Sequence, residues 1–90
     1  MNKRAHVFYN GRVQGVGFRF TTEEIANELG ILGWIKNLRS GEVELVVEAP
    51  QEKLEVFLSR LDQYFSTYIQ DAQVSWQEAT GSFKGFEIRF

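Results

Sequence analysis

Residues Val13–Phe20, VQGVGFRF, set two glycines and an arginine within five consecutive positions, Gly15 to Arg19, just ahead of a helix-forming stretch. Gly15 and Gly17 can take positive φ, which lets successive N–H groups curl inward as an anion-binding nest. A following helix N-terminus adds unpaired N–H donors and positive potential. Arg19 is out of place there as a lone cation, because the macrodipole is already positive. A multivalent anion would make it tolerable, with the guanidinium forking onto two oxygens. The candidate ligands are thus Arg19 and the backbone N–H groups of Gly15, Val16, Gly17 and Phe18. The plainer alternative is a tight turn carrying a solvated arginine. The loop lacks the Lys-Ser/Thr ending of a nucleotide-binding P-loop, and it holds no cysteine for a cysteine-phosphatase mechanism.

A second candidate is Asn37, in GWIKNLRSG. Asparagine before Arg-Ser-Gly is commonly a turn residue. Its amide is also able to accept from a water while donating to a phosphoryl oxygen. Lys36 beside it either raises the local potential or is a solvated strand-end residue. His6, Trp34 and Trp76 read as packing residues.

Composition limits the alternatives. The formal charge is −2, so no global basic field invites nucleic acid or an anionic membrane. An anion must be held by a local device. Without cysteine there is no disulfide, thiolate nucleophile or sulfur-ligated metal, and a single histidine makes no zinc cluster. No metal and no cofactor are expected. No signal-like or membrane-spanning run is present, which implies a cytoplasmic protein. The ninety residues are expected to form one domain, 1–90, and nothing demands more than a monomer.

Hydrophobic periodicity supplies the elements that must position these groups. RAHVFYNG alternates as a first strand, with Ala5, Val7 and Tyr9 on one side. FRFTTEEIANELG reads as a helix with Phe18, Thr22, Ile25, Ala26 and Leu29 on one face and Gly30 as C-cap. A capping box from Thr21 to Glu24, with Phe20 and Ile25 as staple, would start it at Thr22; the periodicity favours a start near Phe18. GWIKNL and EVELVVEA form a hairpin through Arg39-Ser40-Gly41. Val43, Leu45, Val47 and Ala49 are expected to face inward, and Glu42, Glu44 and Glu48 to face water. A second helix opens at Pro50 with the stripe Leu54, Phe57, Leu58, Leu61 and Phe65. AQVSWQEA follows as a fourth strand, with Val74 and Trp76 facing one way. GFEIRF ends the chain as a short fifth, grouping Phe86, Ile88 and Phe90.

The order β-α-β-β-α-β plus a terminal strand predicts an α+β, ferredoxin-like fold, an antiparallel sheet covered on one face by two helices. In that topology the first and second strands are parallel, with the third between them. Their carboxyl ends share one sheet edge, roughly 10 Å apart at two strand spacings. That edge carries the glycine loop and Asn37.

GRVQGVGFR followed by GWIKNLRSGEV resembles the two signatures of the acylphosphatase family, in order, at the family's usual spacing and over nearly the whole chain. The resemblance implies metal-independent hydrolysis of acyl phosphates to carboxylate and inorganic phosphate. It implies that Arg19, with the N–H groups of Gly15 to Phe18, binds the phosphate, and that Asn37 orients the attacking water. Tyr9, Ile35 and Ala49 depart from the residues usual in the family, and STYIQDA replaces its glycine-proline turn, leaving the Phe65–Asp71 path open. Two further hypotheses share the fold. An RNA-recognition module is faintly suggested by HVFYNG, but Glu42, Glu44 and Glu48 stand where aromatic and basic residues belong, so no nucleic-acid partner is expected. The acylphosphatase-like part of a carbamoyltransferase of hydrogenase maturation belongs to far longer chains with zinc-finger cysteines.

Overall fold

A computed structural model describes all of the chain, Met1–Phe90. Strand β1 (Asn2–Gly11) leads through the glycine loop into helix α1 (Phe18–Leu29), and β2 (Leu32–Asn37) turns into β3 (Val43–Pro50). Helix α2 (Gln51–Tyr64), β4 (Ile69–Glu78) and β5 (Phe86–Arg89) complete it. The sheet order is β4-β1-β3-β2-β5, with β3 lying between β1 and β2 as the split β-α-β reading requires.

Helix α1 takes the earlier of the two expected starts. Gly17, at φ 79°, is the residue before the first turn, and no side chain caps that end. The left-handed glycine already swings the chain into the helix, so the Thr21 capping box is not used. Phe18 is buried instead, and the Thr22 hydroxyl donates to the Phe18 carbonyl at 2.7 Å. At the other end Gly30 (φ 70°) stops the helix, and the Ile31 N–H returns to the Ala26 carbonyl at 2.8 Å.

The faces of α1 and α2 close over Ala5, Val7 and Tyr9 of β1 and Val43, Leu45, Val47 and Ala49 of β3, all buried. Leu54, Phe57 and Leu61 of α2 are fully enclosed, each contributing about 1.5–3 kcal/mol by leaving water. Below the glycine loop the core is aromatic. Phe18 lies 5.0 Å from Tyr9 and 4.5 Å from Phe65, ring centre to ring centre. Tyr9 therefore packs against the Phe18 ring, an environment that suits the larger residue. The Phe65–Asp71 path is also defined. Tyr68 and Ile69 donate back to the Phe65 carbonyl at 2.9 and 3.0 Å, and the Tyr68 carbonyl accepts from Arg12 N–H at 2.8 Å. The turn that departs from the family pattern thus ties down the start of the glycine loop.

Several expectations need correction. The sheet is mixed: β5 pairs with β2 in parallel. Chain geometry requires this, because β4 and β5 occupy opposite edges and residues 79–85 must cross the open face to join them. Glu48 does not face water. That crossing segment covers it, leaving it 1% exposed. Its carboxylate accepts from Arg4 Nε (2.8 Å), the Thr80 N–H (2.9 Å) and hydroxyl (3.0 Å), and the Gly81 N–H (3.0 Å). Burial pushes the Glu48 pKa up, but these four donors outweigh it and hold the carboxyl below its ordinary range. Glu44 is half-covered, 2.6 Å from His6 Nε2.

His6, Trp34 and Trp76 pack at the surface and not in the core. His6 stacks on Phe8, and Arg89 lies 4.6 Å over the Trp34 ring. Trp76, opposite Ala5, is on the helix side, but α2 packs over β3 and β1 and leaves it 43% exposed. Phe86 and Ile88 pack against the core, whereas Phe90 separates from them and stands over Arg19.

Candidate active site

Gly15 and Gly17 adopt φ 78° and 79°, and a Cβ on either would meet no atom within 4 Å. Backbone conformation, not space, selects glycine at both positions. The N–H groups of Gly15, Val16 and Gly17 donate to no carbonyl or side chain of the protein. The Val16 side chain rests against the core, which fixes the loop from below. Phe18 opens α1, so its N–H has no partner in the helix.

Asn37 ends β2. Alternation sets Gly33, Ile35 and Asn37 on the helix side of the sheet and Lys36 on the other. Asn37 consequently faces the α1 N-terminus while Lys36 faces away. Val13, Gly15, Gly17, Phe18, Arg19 and Asn37, joined by Phe20, line one cavity of about 100 Å³. Asn37 Oδ1 is buried there with no hydrogen-bond partner, the one such side-chain atom in the molecule. No protein group satisfies this oxygen, so it is free to accept a hydrogen bond from whatever occupies the cavity.

Arg19 has no carboxylate within ion-pair distance, in contrast to Arg4, Arg60 and Arg89. The first turn of α1 contains no acidic residue. Its only close partner is a ring: the Arg19 Cζ lies 4.8 Å from the centre of Phe90. Tyr9, under the loop through Phe18, adds no charge, since burial and then the neighbouring Asp62 carboxylate raise its pKa. The cavity thus presents free N–H groups, an unneutralised guanidinium and one orphan acceptor. Such a surface complements an oxyanion with a water beside it.

Gln14 was not apparent from the sequence as part of this assembly. Its Nε2 donates to the Leu38 carbonyl at 2.8 Å and the Glu42 carbonyl at 2.9 Å. It ties the glycine loop to the β2–β3 turn and so sets the gap between Arg19 and Asn37. The only local signal was a lone amide inside an otherwise apolar and glycine-rich loop. A larger groove of about 370 Å³ runs between α1 and α2, but its cation, Arg60, is already held by Glu28 at 2.6 Å. No three His, Asp or Glu side chains converge as a metal-ligand set.

The model of the acylphosphatase family matches residues 5–88. The chain belongs to the acylphosphatase family. An acylphosphatase from Pelotomaculum thermopropionicum is 43% identical over 88 residues, 97% of this chain and 96% of its own. One from Nostoc sp. is 41% identical over 87 residues, 96% of this chain and 85% of its own. The crystal structure of acylphosphatase from Bacillus subtilis superposes with a TM-score of 0.90 at 30% identity, covering 98% of this chain and 99% of that one. No helix is long and apolar enough to cross a membrane.

Proposed function

We propose that this chain is an acylphosphatase that hydrolyses carboxyl-phosphate mixed anhydrides to carboxylate and inorganic phosphate without a metal. Arg19 and the N–H groups of Gly15, Val16, Gly17 and Phe18 hold the phosphoryl oxygens. Asn37 Oδ1 accepts a hydrogen bond from the attacking water and aims its lone pair at phosphorus. The observation that carries this reading is the buried, unpartnered Asn37 Oδ1 beside Arg19 in one cavity.

The choice of substrate class follows from the leaving group. An alkyl phosphate needs a metal or general acid to assist departure of an alkoxide. A carboxylate, whose acid has a pKa of about 4, leaves without protonation. As the water oxygen bonds to phosphorus, the phosphorus–oxygen bond to the acyl group breaks and its electron pair leaves with the carboxylate. The protons of the water remain on the phosphate product. Catalysis then requires only orientation and charge stabilisation, which N–H donors, a guanidinium and an amide supply. The reading includes a cytoplasmic monomer acting on a small-molecule substrate.

Steady-state hydrolysis of benzoyl phosphate by purified wild-type and Arg19→Ala proteins tests it. The variant is expected to lose on the order of 10²–10³ in kcat/KM, the effect of removing a principal oxyanion donor. Wild-type turnover is expected to persist in EDTA. Full activity in Arg19→Ala, or loss of wild-type activity on chelation, overturns the assignment.

A further inference from the structure

The cavity has room for a phosphoryl group and little more, so the acyl part of a bound substrate must project past its mouth. Two phenylalanines stand there. Phe20 lines the cavity and is 63% exposed, although it follows the pocket arginine directly in the first turn of α1. Phe90 is 88% exposed, its ring centre 4.8 Å from the Arg19 Cζ. The position of Phe90 is a product of the sheet. β5 runs parallel to β2 with Ile88 beside Ile35 and Arg89 beside Lys36, and one further step brings Phe90 level with Asn37. An antiparallel fifth strand would have delivered its last residue to the opposite edge.

Neither ring contributes to the core, and both are costly to leave in water. The charge pattern around them is equally specific. Lys36 faces the other side of β2, and Arg19 is engaged by the phosphoryl group. Arg19 is the only cation among the residues that line the cavity, so its wall offers no second one to a carboxylate on the acyl chain.

We infer that Phe20 and Phe90 form an apolar rim that receives the acyl group and directs the site toward acyl phosphates with aromatic or other apolar acyl groups. Phe90 would stack along the guanidinium on one side while the acyl group covers its remaining face, and Phe20 would close the opposite flank. This inference rests on the hydrolytic reading above and extends it to substrate selection.

The test compares kcat/KM for benzoyl phosphate and acetyl phosphate in wild type, Phe20→Ala and Phe90→Ala, with inhibition by inorganic phosphate as an independent readout of the anion pocket. Both positions are exposed, and circular dichroism verifies that each variant is folded. Wild type is expected to favour benzoyl phosphate. Each substitution is expected to lower the benzoyl-to-acetyl ratio by about tenfold, carried mainly by KM, as for loss of an apolar subsite contact. An unchanged ratio overturns the rim. So does an equal loss on both substrates with a raised phosphate inhibition constant, which would mean that Phe90 serves to orient Arg19. Wild-type protein that cleaves neither compound would instead defeat the hydrolytic reading, and the rim with it.

Discussion

At Asn37 stability and activity are expected to oppose one another. Its Oδ1 has no partner in the protein, so truncation breaks no internal hydrogen bond and removes only a small side chain. Asn37→Ala should leave stability unchanged or raise it by up to about 1 kcal/mol, read as midpoint and slope in urea unfolding. The same variant should depress kcat far more than KM in benzoyl phosphate hydrolysis, as for a group that acts on the attacking water. A variant that is less stable and equally active would make Asn37 a structural residue. Arg19→Lys separates charge from shape. Lysine keeps the positive charge but not the planar fork, so it should recover only part of what Arg19→Ala loses. Arg19 and Asn37 were singled out only through topology, because alone each reads as a solvated arginine or a turn residue, and the split β-α-β order sets both at one sheet edge. Glu48 was misread from local pattern alone. A glutamate alternating with valines normally marks a wet face, and only the fold discloses that a distant segment covers this one.

Elements hold these residues in register, and Gln14 is the tie between two of them. Gln14→Ala removes both bonds to the β2–β3 turn and should cost about 1–2 kcal/mol in chemical unfolding. Activity should fall disproportionately, about tenfold in kcat, because a slackened loop widens the gap between Arg19 and Asn37. If stability falls while turnover is retained, the tie is purely architectural. Gly17→Ala isolates backbone shape, since nothing lies within 4 Å of the new methyl. Holding alanine at φ 79° should cost about 1–2 kcal/mol or re-form the loop, and either effect should weaken phosphate inhibition. The helices and most strands were legible from periodicity, including the α1 start at Phe18. The Gln14 tie was not, because it joins a side chain to carbonyls of residues 38 and 42 that only the folded hairpin brings near.

Across the whole molecule, the clasp on Glu48 holds residues 79–85 over the open face and thereby seats β5. Its folded pKa is depressed, so the stabilisation is complete above the unfolded carboxylate pKa and is lost as pH falls through the folded value. Wild-type unfolding free energy should therefore decline below about pH 4.5, the upper limit set by an unfolded glutamate. In Glu48→Ala the protein should be about 3 kcal/mol less stable at pH 7, since Arg4 and two N–H groups lose a buried partner. Its acid limb should also be shallower; parallel limbs in the two proteins would mean that other carboxylates govern acid unfolding. The parallel β5 could not be read from GFEIRF, because alternation reports which side faces inward but not strand direction.

The placement of β1 has a consequence for synthesis on the ribosome. β1 is made before both of its neighbours, β3 and β4, and lies between them inside the sheet. Until residues 69–78 emerge, one long side of β1 has no neighbour, and a nascent chain stalled before that point would display a bare strand flank open to pairing with another chain.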